Sequence, residues 1–229
     1  MQSIRAQRRG IVFDEHSCFA EVPKQLRMRG VHIIRDPRDV LISSTFYHLR
    51  ASEPWLHRPL PQYDGKTYQE KLRSLGTIRE AILLELGSLP TRVTLNEMRG
   101  FPKLATVPTI NYESLMIGDV LAEFEAMFSS LGFSGEARRV ALECARRESI
   151  VLNPARRRSP HVRSGEPQQW RQLFDRVLGD QFVAVAGDDL VALGYEPDDS
   201  WPEELPATRP ALDEHLPIPD SERGFEADR

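Results

Sequence analysis

A chain of 229 residues is long enough to bury the core of one α/β domain. With 40% apolar and 28% charged residues the composition is ordinary for a globular protein, and a net charge of −4 gives no general attraction to nucleic acid or to membrane surfaces, so an anionic ligand must be met by a local cluster of cations. Two cysteines, Cys18 and Cys144, make no disulfide framework, no Cys/His spacing suits zinc, and no apolar run approaches the ~18 residues that span a bilayer. The segment Met1 to Gly10 is basic but leads into no apolar stretch, so it does not read as a secretory signal, and a soluble cytoplasmic protein is the expectation.

In chain order, Gly10 to Phe13 is a short strand candidate closed by Asp14, Glu15 and His16, and Pro23 to Arg29 predicts a short helix ended by Gly30. Val31 to Ile34 is a brief β-rich run with Arg35 at its end. Asp36 and Pro37 then supply an N-cap and a first helical residue, and the apolar pattern from Val40 to Leu49 predicts the helix itself. Glu53 to Gly65 holds Pro54, Pro59, Pro61 and Trp55 and reads as a loop. Tyr68, Leu72, Leu75, Ile82, Leu86 and Leu89 form one stripe and predict a helix over Thr67–Leu89, weakened or split at Gly76. Pro90 to Pro108 shows no readable period, and Thr109 to Tyr112 predicts a short strand.

Helical period returns over Ile117–Leu131, stopped by Gly132, and Ser134 caps a further helix running to about Ser149. Asn153 to Pro167 is a cation-bearing loop, and Trp170–Leu178 and Asp180–Leu193 predict two last helices separated at Gly179. Residues 1–196 therefore read as one domain, an α/β arrangement with a mostly parallel sheet. Residues 197–229 read as an acidic, proline-rich tail, extended over the surface or disordered.

Two segments carry chemistry. Strand, turn and helix around Arg35 place a planar cation at a helix N-terminus, with the Ser43 hydroxyl further along the helix, a combination suited to phosphate. Taken alone, the same residues could be an ordinary capped helix with exposed charges. Arg156, Arg157, Arg158 and Arg163 fall within eight residues, followed by Gly165, where backbone N–H groups could approach an anion. Taken alone, that cluster could be a solvated patch.

Arg35-Asp36-Pro37-Arg38-Asp39-Val40 followed by Ser43 resembles the 3′-phosphate-binding motif of sulfotransferases that use 3′-phosphoadenosine-5′-phosphosulfate (PAPS), in which an arginine and a serine stand eight residues apart. Arg163, Gly165, Trp170, Arg171 and Phe174 resemble that family's C-terminal loop, Arg-x-Gly and then a glycine two residues before a tryptophan; Gln168 stands in the second glycine's place. Asn111-Tyr112-Glu113-Ser114-Leu115 is similar to a Tyr-Glu-Asp-Leu segment whose tyrosine lies near the adenine, and Ser149-Ile150 falls where a Ser/Thr-Phe pair lines the same base. The resemblance implies a P-loop-kinase-like layer sandwich that binds PAPS, with Arg35, Ser43, Arg163, Ser164 and Gly165 at the 3′-phosphate and Tyr112 and Ser149 near the adenine. His16, 19 residues before Arg35, matches the position of the family's general base, with Asp14 where a lysine is common. His48, in Phe46-Tyr47-His48, would face an acceptor pocket.

The family's Pro-Lys-Ser-Gly-Thr-Thr-like loop for the 5′-phosphosulfate has no counterpart before His16. Either the chain lacks an N-terminal βα unit through truncation or a misplaced start, or it is a genuinely short protein. A missing unit would leave apolar sheet surface open to association with a second copy. The implied activity is sulfuryl transfer from PAPS to a hydroxyl or amine of a small-molecule acceptor, releasing 3′-phosphoadenosine-5′-phosphate (PAP), with this chain inactive or poorly active as written. The alternatives are a catalytically silent 3′-phosphonucleotide-binding protein and a nucleotide kinase relative; the latter would need its own P-loop and Mg²⁺ ligands, and neither is visible.

Overall fold

Asp36 starts the first helix as its sequence dictates. Its side chain accepts from the Arg38 backbone N–H, and Pro37 fills the first turn of α1 (Pro37–His48). The preceding strand β1 (His32–Ile34) is three residues long. The computed structural model describes residues 29–158 and 165–217; the strand expected over Gly10–Phe13 and most of the helix expected over Pro23–Arg29 lie outside them.

The helical stripe over Thr67–Leu89 is split around Gly76, as that glycine suggested, into α2 (Tyr68–Arg73) and α3 (Ile78–Leu86). Each begins with its own capping box, Thr67 with Glu70 and Thr77 with Glu80. Gly76 N–H donates to Glu80 Oε2 at 2.7 Å, so the cap takes a donor that a continuous helix would have used internally. A further helix, α4 (Leu89–Gly100), occupies ground without a readable pattern. Ser88 caps it, and Pro90 sits in its first turn, where a missing N–H costs nothing.

Strand β2 (Thr109–Asn111) pairs with β1 in parallel, Ile33 opposite Ile110. Helices α5 (Val120–Ser130) and α6 (Gly135–Glu148) form a hairpin. A short α7 (Trp170–Leu173) precedes α8 (Arg176–Leu193). The second of these starts at an Asp175 cap, not after Gly179, and its irregularity falls at Ala186. Gly179 is a packing glycine: a Cβ there would stand 2.9 Å from Leu205 and 3.0 Å from Pro202.

The described residues thus make a helix-rich α/β arrangement with a small two-stranded parallel sheet. Leu41 and Ile42 of α1, Leu72, Ile82 and Leu86 of α2 and α3, and Phe174, Leu178, Phe182 and Leu190 around α8 form its core. The proline-rich segment read as a tail packs onto that core as far as the description runs. Trp201 joins the rings of Trp170, Phe174 and Phe182, Leu212 is fully buried, and Ile78 N–H donates to the Glu214 carbonyl. Its apolar anchors are too widely spaced to show a period, and their partners lie far off in the chain. No helix among the described residues is long and apolar enough to cross a membrane.

Candidate functional site

The first turn of α1 is less open to an anion than its sequence suggests. Pro37 has no N–H, and the Asp36 carboxylate already takes the Arg38 N–H at 2.9 Å. The Asp36 N–H in turn donates to Glu113 Oε1 at 2.9 Å, which ties the corner to the end of β2. The donor offered to a ligand is Arg35. Its side chain is 21% exposed and its guanidinium lies 4.8 Å from the centroid of the Tyr112 ring. It pairs loosely with Asp39, at 3.7 Å, and its buried Nε–H has no acceptor among the described residues. An orphaned guanidinium N–H on a partly exposed fork is a group that a phosphate oxygen could satisfy.

Arg38 does different work. It is 2% exposed, gives Nε and Nη2 to the two oxygens of Asp36 at 2.9 and 2.8 Å, and gives Nη1 to Glu196 at 2.5 Å. Its guanidinium lies 3.6 Å from the centroid of Trp170 and 4.6 Å from that of Trp201. Charge pairing, bidentate geometry and two aromatic faces together offset the desolvation of a fully buried arginine. The second arginine of the motif is therefore the structural pin, and sequence reasoning missed it. The signal was an arginine two residues after a capping aspartate.

Asp39 brings in the C-terminal loop. Its carboxylate accepts from Gln168 N–H at 2.6 Å and Trp170 N–H at 3.0 Å. Burial pushes its pKa up, and the Trp170 N–H and Arg35 pull it back only in part. Gly165, with φ of 67°, offers its carbonyl to the Tyr112 hydroxyl at 3.4 Å. Gln168 has φ of 61°, the left-handed conformation that favours glycine. Burial also raises the phenol of Tyr112, with Arg35 opposing; burial and Glu113, which accepts from it at 3.0 Å, raise that of Tyr195.

Arg35, Tyr112 and Gly165 therefore meet. Ser43 lies one turn beyond Asp39 on α1, half-buried. Among the described residues no bond draws Ser149 to the corner: it follows the last residue of α6, and its Oγ accepts from Val151 and Leu152 N–H at 3.2 and 3.3 Å in its own turn. Arg156 is exposed and pairs with Glu148. Arg163, Ser164 and His16 lie outside the described residues.

His48, expected to face an acceptor pocket, turns instead into the interior against α3. It follows Leu41 by seven residues and so lies on the core stripe of α1. Its Nδ1 meets Glu85 Oε2 at 2.9 Å; the same carboxylate accepts from Tyr68 at 2.7 Å and Thr91 at 3.1 Å. Comparison of the chain with family models, curated proteins and solved structures gives no match.

Proposed function

We propose that the Arg35 corner is the 3′-phosphate end of a PAPS site, and that the chain is a sulfotransferase-type protein with a P-loop-kinase-like layer sandwich. The observation that carries this reading is convergence. Three segments marked out by their residue patterns, separated by 77 and 53 positions, meet at Arg35, Tyr112 and Gly165. The left-handed Gln168 and the orphaned Arg35 Nε–H add support, because each fits a phosphate loop and neither is needed by a plain helix cap.

In this reading Arg35 binds the phosphate through its fork, the Tyr112 ring braces the guanidinium from beneath, and Ser43, Ser164 and Gly165 complete the cradle with Arg163. PAPS would supply the activated sulfuryl group, and His16 would take the proton from a hydroxyl or amine acceptor. The setting is the cytoplasm. Calorimetric titration of the chain with PAP and with AMP tests the binding half. A bidentate charged contact is worth about 1.5–3 kcal/mol, so PAP should bind at least about tenfold more tightly. Equal affinities would remove the reading.

A further inference from the structure

We propose that Asp39 is a positioning residue that fastens the 165–170 loop to the arginine corner, so that docking of the loop and placement of Arg35 form one coupled equilibrium. The ligand-bound arm of this inference rests on the reading of the corner as a phosphate site; the loop-docking arm does not.

The Asp39 side chain is wholly buried, and both of its oxygens are taken by loop N–H groups. A buried carboxylate needs a cation as well as hydrogen bonds, and the cation paired with it is Arg35. Gln168 in turn holds a backbone shape that a non-glycine residue does not favour by itself, with its N–H on Asp39. From Gly165 the loop returns to Arg35 by a second route, through the Tyr112 hydroxyl and ring. Arg35, Asp39, the loop and Tyr112 thus form a closed circuit. Trp170 is held separately by its stack on Arg38, so loss of the Asp39 bonds should free the loop amides without releasing the indole.

Electrostatics alone predicts the opposite ligand effect. Asp39 is a negative charge beside an anion site, so removing it as a bare charge should tighten phosphate binding. Removing a positioning residue should weaken it, because an asparagine offers one acceptor to two N–H donors.

The test is amide hydrogen exchange on the full chain by NMR, with and without PAP, for wild type, Arg35→Gln and Asp39→Asn. Without ligand, both variants should speed exchange at Gln168 and Trp170 by about tenfold or more, while the core amides of α3 keep their rates. With PAP, wild type should gain protection at both positions, and Asp39→Asn should bind more weakly. Wild-type exchange rates in Arg35→Gln would overturn the coupling, as would tighter PAP binding by Asp39→Asn. If wild type binds no PAP while Arg35→Gln still frees the loop, the nucleotide reading fails and the coupling stands. Should Asp39→Asn not fold, the Arg35→Gln rates decide the matter.

Discussion

Arg38 in the β1–α1 corner and Arg139 in the α5–α6 hairpin each bind a carboxylate bidentately, yet they sit at opposite ends of a scale. Arg38 is closed over by Trp170 and Trp201 and holds both Asp36 and Glu196. Arg139 meets Glu136 one turn away on α6, with their side chains 70% and 71% exposed. The hairpin packs mainly within itself, with the Phe124, Phe128 and Phe133 rings clustered along α5 and the turn after it. The contrast teaches that an arginine's role here is set by what apolar surface can close over it, and that surface is supplied from far along the chain.

The sharpest way to break this contrast is a pair of truncations followed by chemical denaturation. Arg38→Ala leaves two carboxylates without their buried partner and should cost about 3–5 kcal/mol, a large share of the stability of a typical domain. Arg139→Ala should leave the unfolding midpoint where it was, because a fully solvated pair contributes little. Equal shifts would mean that burial is not what separates the two.

The pair of Arg79 and Asp175 lies between these extremes, its carboxylate buried and its guanidinium 22% exposed. Asp175 caps α8 and binds Arg79 at 3.1 and 2.6 Å. Burial opposes its ionisation, but Arg79 and the Leu178 N–H outweigh that, and its pKa falls below the ordinary 3.8. A carboxyl depressed in the folded state contributes stability that is fully present above its unfolded pKa and is lost as pH falls through the folded one. Urea midpoints from pH 7 to 3 should therefore drop for wild type below about pH 4, and Asp175→Asn should show a lower plateau with a flatter acid limb. Parallel curves would assign the pH response to other groups.

The smallest effect expected is a gain. Gln168→Gly relieves a left-handed non-glycine residue and should add up to about 1 kcal/mol, reduced by the greater freedom of glycine in the unfolded chain. A loss of stability would show that the Gln168 side chain makes contacts that matter more than its backbone.

What could be read from the sequence was what local rules determine. The turn from β1 into α1 follows from Asp36 and Pro37, β2 from Thr109 to Asn111, and the α5–α6 hairpin from its period and from Gly132. The break between α2 and α3 is legible at Gly76, and the two Thr-x-x-Glu boxes on either side of it fix the new helix starts that the apolar stripe alone does not mark. Three other features depend on distant partners and leave no periodic trace. Arg38 is buried by residues more than 130 positions away, His48 turns inward to a glutamate on α3, and Trp201 and Leu212 anchor a segment that looks unstructured by composition. Within the site, Arg35, Tyr112 and Gly165 were legible as motif residues. Asp39 stands in the same motif, but its role is not legible there, because it acts on backbone N–H groups that carry no sequence identity.

In the proposed function Arg35, at a strand end and against the Tyr112 ring, binds the phosphate, whereas the exposed Arg156 is a solvated cation paired with Glu148. Calorimetric PAP binding by Arg35→Ala and Arg156→Ala tests this most directly. Arg35→Ala should weaken PAP by tenfold or more, on the scale of about 1.5–3 kcal/mol for a charge-assisted contact, while Arg156→Ala should stay within about twofold of wild type. Equal losses in the two variants would contradict it and leave the Arg35-Asp36-Pro37 corner as no more than a helix cap.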